Sequence, residues 1–262
     1  MAVFVDVHIH LADPAYANKV ESLLDIARRE NVAALVGNSM DLDTSKASVD
    51  LSLRNLPLVY AAVGLHPWSA QTAQIEEVNR IEALVREKRD HVFAIGEVGL
   101  DRSYAKTEDK LEQQHRIFKR QLELAERMNL PVIVHSRNSA REVLDTLKSY
   151  AQKRVLMHWY TGPLEYVKHI ADNGWTLSFG PSIFYSSKVR EIVSKASLEC
   201  LLTETDGPVT YRGPFQGRET TPEFIPPMVE EAAQLLGMDS TKLADRMLEN
   251  FNRLFGVRTG SG

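Results

Sequence analysis

The chain of 262 residues carries a single cysteine, Cys200. One thiol excludes an internal disulfide framework and any cysteine-based zinc site. Cys200 opens an apolar run, which makes it an inert buried thiol. No apolar stretch approaches the ~20 residues that a membrane-spanning helix needs. The opening Met1-Ala2-Val3-Phe4-Val5-Asp6 has an acid where a signal peptide would carry basic residues. Excess positive charge is also missing. Thirty-one Lys and Arg against 35 Asp and Glu leave a formal charge of −4, which argues against a broad basic face wrapped around duplex DNA. That balance still permits a cleft that takes one end of a strand. Internal repeats, low-complexity segments and dividing linkers are absent. The expectation is a cytoplasmic globular protein with no membrane association and no obligate protein partner. It has one domain over residues 1–257 and a small polar tail over 258–262 that frays.

What is present is a strand followed by a helix, many times over. Short β-branched and apolar runs occur at Val3–His8, Val32–Val36, Leu58–Gly64, Val92–Glu97, Pro131–His135, Val155–His158, Trp175–Phe179 and Cys200–Thr205. Between them lie stretches with helical spacing, such as Val20, Leu23, Leu24 and Ala27, or Ala140, Val143, Leu144 and Leu147. A long helix over Asp109–Asn129 stops before Pro131, and a last helix over Thr241–Phe255 stops at Gly256. Strands alternating with helices pair in parallel through right-handed crossovers. The length matches the ~250 residues of a closed (β/α)8 TIM barrel. An open doubly wound sheet would place a glycine-rich turn after an early strand, and none is present. The Gly- and Pro-dense segment 207–222 follows the last strand and reads as a lip over one end of the barrel.

Barrel enzymes place their chemistry at the C-terminal ends of the strands. Strand one ends in His8-Ile9-His10, strand three in His66-Pro67 and strand four in Glu97-Val98-Gly99-Leu100-Asp101. Strand five ends in His135-Ser136-Arg137, strand six in His158 and strand eight in Glu204-Thr205-Asp206. Five histidines and several acids on one rim need a shared reason. Buried together without a cation, the carboxylates would repel and the imidazoles would go unpaired, at a cost of several kcal/mol. Divalent cations remove both costs. His8 and His10 share a strand parity, so both can grip one ion. Asp6, one layer deeper, is either a partner for the free N–H of a ligand histidine or a polar plug. Glu204 and Asp206 also share a parity, with Asp206 at the rim and Glu204 below in support.

The ligand set is therefore His8, His10, Glu97, His135, His158 and Asp206. Six ligands exceed what one tetrahedral zinc with an open position takes. They suit two ions sharing Glu97, with a hydroxide held between them as nucleophile and Asp206 as its proton acceptor. Imidazole-rich sites favour Zn or Mn, and Mg is a further option.

These residues resemble the TatD family of metal-dependent hydrolases over nearly the whole chain. The motifs are Asp6-Val7-His8-Ile9-His10, Gly64-Leu65-His66-Pro67, Gly96-Glu97-Val98-Gly99-Leu100-Asp101, His135-Ser136-Arg137, His158 with Gly162, Glu204-Thr205-Asp206-Gly207-Pro208, and the closing Asn250-Phe251-Asn252-Arg253-Leu254-Phe255. The resemblance implies a two-metal deoxyribonuclease, working from the 3′ end of single-stranded DNA. It implies one ion on His8, His10, Glu97 and Asp206, and a second on Glu97, His135 and His158. It places His66 against the scissile phosphate or the attacking water as a catalytic and substrate-binding residue, and Arg137 against substrate. The chain departs from the family pattern at His158-Trp159-Tyr160-Thr161-Gly162, where Cys-Phe-Ser is common after the histidine, at Asn138, and at Thr220-Thr221-Pro222. These departures bear on substrate, not on the metals.

Trp68, Trp159 and Tyr160 follow strand ends and are candidates to stack an unpaired base. Arg102, Arg137, Lys188, Arg212 and Arg218 map to rim loops. His91, His115 and His169 fall away from the rim. Two other functions remain open. The same metals serve hydrolysis of a carboxylic ester or amide, aminoacyl-tRNA included. A catalytically silent, metal-stabilised scaffold is the third, and it predicts a missing ligand, which is not observed.

Overall fold

The structure, a computed structural model, describes residues 2–259. Eight strands, β1 (Phe4–Ile9), β2 (Val32–Gly37), β3 (Val59–Val63), β4 (Val92–Asp101), β5 (Val132–Arg137), β6 (Val155–Met157), β7 (Thr176–Phe179) and β8 (Leu201–Thr203), form one sheet in sequence order. Every adjacent pair is parallel. Helices cross between them on the outside, among them Leu42–Asn55 and Glu108–Met128. The expected barrel therefore forms, and its strand order is the simplest one that right-handed crossovers allow.

Helix boundaries follow local chemistry. Glu108–Met128 ends where Asn129 adopts a left-handed conformation, φ 48°, which Asn tolerates better than most residues. Ser240–Phe255 begins at Asp239, whose carboxylate accepts the N–H of Lys242, and ends at Gly256 with φ 68°. No helix is long and apolar enough to cross a membrane among the described residues.

The seam between β8 and β1 closes at the rim. The Asp206 N–H donates to the His8 carbonyl at 2.8 Å, and the His10 N–H donates to the Gly207 carbonyl at 2.8 Å. Asp6 joins the seam from the β1 side. Its carboxylate accepts the His8 N–H at 3.2 Å, the Thr205 N–H at 3.0 Å and the Thr205 hydroxyl at 2.6 Å. The expected role as partner of a ligand imidazole gives way: its oxygens are taken up by backbone N–H groups and Thr205, and among the described residues no imidazole reaches them, so the fully buried Asp6 stands closer to the polar plug. Burial pushes its carboxyl up to about 7 against these bonds.

Strand eight is shorter than its apolar run suggests. β8 stops at Thr203, and Asp206 sits in a left-handed turn with φ 49°. Asp206 thus reaches the rim through a turn and not by strand alternation. The lip over 207–222 packs back on this turn. Tyr211 donates to the Thr205 carbonyl at 2.7 Å, and Tyr16 donates to the Thr220 carbonyl at 2.6 Å. A Cβ on Gly207 would fall 2.1 Å from the Tyr16 hydroxyl, so only glycine passes there.

Of the expected tail, Arg258 and Thr259 are described and residues 260–262 lie outside the described residues. Thr259 is buried, with its hydroxyl 3.0 Å from that of Tyr60 and its N–H on Asn252 Oδ1 at 2.9 Å.

Candidate metal centre

Side chains from β1, β4 and β5, and from the turns after β1, β3, β6 and β8, converge at the C-terminal mouth of the barrel. Glu97 is at their centre and is 1% exposed. Its Oε2 faces His8 Nε2 at 3.1 Å and His10 Nε2 at 3.5 Å. Its Oε1 faces His135 Nδ1 at 2.7 Å, His158 Nε2 at 2.9 Å and His66 Nε2 at 3.2 Å. Asp206 Oδ1 lies 3.5 Å from His8 Nε2 and 3.4 Å from His10 Nε2. All six expected ligands are brought together, and His66 joins them.

Glycine makes this approach possible. Gly99 pairs with His135 across β4 and β5. Its φ is 136°, and a Cβ there would fall 2.1 Å from the His135 carbonyl oxygen. A side chain at 99 would push β5, and with it His135, away from Glu97.

The partners of each imidazole's second nitrogen decide which nitrogen faces the centre. His10 Nδ1 lies 3.2 Å from the Asn38 carbonyl, which leaves Nε2 for the site. His135 is turned the other way. Its Nε2 donates to Asp101 Oδ2 at 3.1 Å, so Nδ1 faces Glu97. His158 Nδ1 lies 3.4 Å from Glu204 Oε1, and Glu204 Oε2 accepts the Ser178 hydroxyl at 2.5 Å. Glu204 therefore stands behind His158 and not beneath Asp206. The ring of His8 stacks on that of His158 at 3.9 Å, which stiffens both.

His66 differs in kind. Its Nδ1 accepts the Trp68 N–H at 3.1 Å as the cap of the short helix Pro67–Ala70. The hydrogen-bond pattern thus assigns the ring proton to Nε2, which faces Glu97. A nitrogen carrying a proton has no lone pair for a cation, so His66 is a donor and not a ligand.

Electrostatics within the cluster are strongly coupled. Burial opposes the charge of Glu97, but His66, His158 and His8 around it hold its carboxyl well below the usual range. Asp206 is lowered against its own burial by the bond from His10 and the nearby His8 and His158. Burial also opposes a charge on His158, yet Glu97 and Glu204 lift it well above the usual imidazole value. His66 goes the other way, pushed by burial down to about 4. Without a cation, positive charge on imidazoles such as His158 balances the ionised carboxylates.

The donor set fits divalent cations. Nitrogen and carboxylate atoms of His8, His10 and Glu97 lie within 4.8 Å of one another, and His135 Nδ1 and His158 Nε2 lie 2.7 and 2.9 Å from the other oxygen of Glu97. His8 Nε2 and His10 Nε2 sit 3.3 Å apart and both face carboxylates. Neutral imidazoles held this way offer lone pairs to a shared point, the geometry that a metal satisfies.

Two residues near the site were not assigned from sequence. Asp101, part of a quoted motif, is fully buried. It accepts from His135, from Trp68 Nε1 at 2.8 Å, and from the N–H groups of Ser103 and Tyr104 at 2.8 and 3.0 Å. Its position on β4 beyond Glu97, with β5 alongside, was the available signal. Tyr104 had none, since its ring is placed only by its neighbour Trp68. Of the three candidate stacking residues, Tyr160 is buried with its hydroxyl on the Pro163 carbonyl, and Trp159 is half-buried. Trp68 is 39% exposed. Arg137 ends β5 with an exposed side chain. Arg102 and Arg218 are engaged by Glu142 and Glu223 at 2.6 Å each.

A parallel eight-stranded barrel whose mouth gathers imidazoles around a carboxylate defines a metal-dependent hydrolase. The family model described as TatD related DNase matches residues 5–256, and the chain belongs to that family. It is 30% identical to the Bacillus subtilis protein named uncharacterized metal-dependent hydrolase YabD, over 96% of this chain and 98% of that one. It is 29% identical to human Deoxyribonuclease TATDN3, over 96% and 94% of the two chains. Among solved structures, the TatD homologue YjjV of Escherichia coli superposes with a TM-score of 0.90 at 28% identity, covering 97% of this chain and 98% of that one.

Proposed function

We propose that this chain is a two-ion phosphodiesterase that removes nucleotides from single-stranded DNA, in the 3′-to-5′ direction. The observation that carries the two-ion reading is the split of Glu97. One oxygen faces the His8 and His10 pair, and the other faces His135 and His158. One ion would be held by His8, His10, Glu97 and Asp206, and the other by Glu97, His135 and His158. With Mg, Mn or Zn bound, the site would supply water activated near neutral pH and relief of the phosphate charge.

The chain's own residues do the rest. Asp206 stays ionised and faces the first pair of histidines, so it is placed to accept the proton of the attacking water. His66 presents an N–H to the centre and stays neutral above about pH 4, so it donates to the phosphate oxygen or to the departing 3′ oxygen. Arg137 sits at the mouth, exposed, and meets the backbone of the strand. A DNA substrate is supported by the name of the human relative. A single strand is supported by the formal charge of −4, which leaves no broad cationic face for a duplex.

The test pairs metal analysis with cleavage of 5′-labelled and 3′-labelled single strands, alongside aryl esters and aminoacyl-tRNA. Two equivalents of metal, a ladder shortening from the 3′ end and loss of turnover with chelator are expected. Ester or amide hydrolysis without strand cleavage would move the chain to the other class of metal-dependent hydrolase.

A further inference from the structure

The rim carries exposed aromatic surface beside the metal centre. Trp68 follows β3 and Tyr104 follows β4, at 39% and 45% exposure. Their rings stack at 5.0 Å with 24° between planes. The pair is held in place. The Trp68 ring meets that of His66 edge-on at 4.8 Å, and its Nε1 donates to Asp101 Oδ2 at 2.8 Å. The same oxygen takes His135 Nε2 at 3.1 Å. Tyr104 is fixed through its N–H on Asp101 Oδ1 at 3.0 Å. One buried carboxylate thus positions a centre-facing histidine, the Trp68 ring and the main chain at Tyr104, whose own ring stacks on Trp68.

Simple packing does not account for this arrangement. Core aromatics of this protein, such as Tyr16, Phe118 and Phe179, are fully enclosed. The indole of Trp68 instead uses its polar edge to anchor itself while much of its ring stays in water. An apolar face kept rigid and open next to a site for a phosphodiester suits a flat, unpaired ring system. Base–aromatic stacking is tolerant of sequence, because every base has a π-face.

We infer that Trp68 and Tyr104 form a nucleobase subsite for the nucleotide beside the scissile phosphate, positioned by Asp101. The inference rests on the DNA reading above. A base seated there holds the strand so that its phosphate comes to the mouth on the side of His66, whose ring meets Trp68 edge-on. Asp101 is a positioning residue, since it touches neither base nor phosphate.

The test uses two readouts. In the first, tryptophan fluorescence of the protein in chelator is titrated with oligothymidylate. Quenching is expected in the wild type and absent in Trp68→Phe, which removes the reporting indole. In the second, KM and kcat are measured with metal on a single strand and on the same strand carrying base-free tetrahydrofuran residues at its two terminal positions. The wild type favours the base-bearing strand by about 5- to 150-fold, the range that one stacked base supports. In Trp68→Ala and Tyr104→Ala that preference collapses, and the loss falls mainly on KM. Trp68→Phe, which keeps a stacking ring, restores most of it. If the wild type cleaves DNA yet the alanine variants keep its KM and base preference, the subsite is refuted. If the wild type neither binds nor cleaves any strand, the DNA reading fails and the subsite with it.

Discussion

His135 turns Nδ1 towards Glu97, at 2.7 Å, because Asp101 holds its Nε2 at 3.1 Å. An imidazole has two nitrogens, and whichever is engaged behind the ring leaves the other for the site. The Asp101 carboxyl is kept down near 2 despite burial, by its bonds from His135 and Trp68, so it remains an acceptor throughout the working pH range. Asp101→Asn would place an amide N–H₂ against two donors. Metal affinity is expected to fall about 10- to 100-fold, the usual effect of losing a partner behind a ligand. Titration of the second ion by calorimetry checks this, and unchanged affinity would remove Asp101 from the design of the site.

Glu97→Gln keeps size and removes the charge that both histidine groups face. Bound metal is expected to drop from two equivalents to one or none, as read by elemental analysis after dialysis. Retention of two equivalents would show that Glu97 is not shared.

Asp206→Ala leaves the seam bonds of its backbone intact, since the Asp206 N–H still reaches the His8 carbonyl. The fold should persist by circular dichroism, while kcat falls by about 10²- to 10⁴-fold, the usual worth of a proton acceptor. Unchanged turnover would exclude Asp206 from the reaction.

Arg137→Ala removes one cation from the mouth. KM for single strands should rise, and the slope of log affinity against log salt should shrink by about 0.7. An unchanged slope would mean that Arg137 meets no phosphate.

Cys200 is 2% exposed, and burial pushes its thiol up to about 11. Thiolate is the reactive form. At pH 8 a group three units below its pKa is about one part in a thousand thiolate, so a disulfide reagent should leave the native protein unlabelled and label it once denatured. The sign of the linkage follows. Stability associated with the protonated thiol is present below the ordinary thiol value and is lost as pH rises towards 11. Rapid labelling of the native protein at pH 8 would contradict the burial.

Much of this architecture is legible in the order of residues alone. Strand and helix periodicities are local, so eight strands and their helices could be read directly, and parity along β1 put His8 and His10 on one face. The residue types at strand ends named the donor set because few other arrangements tolerate so many imidazoles and acids together. What sequence could not settle depends on contacts between segments distant in the chain. Asp6 staples β1 to Thr205, Asp101 sets the orientation of His135, Glu204 backs His158, and Asp206 arrives through a left-handed turn. Hydrogen-bond partners, unlike periodicity, are chosen only when the barrel closes and brings those segments within 3 Å or so of each other.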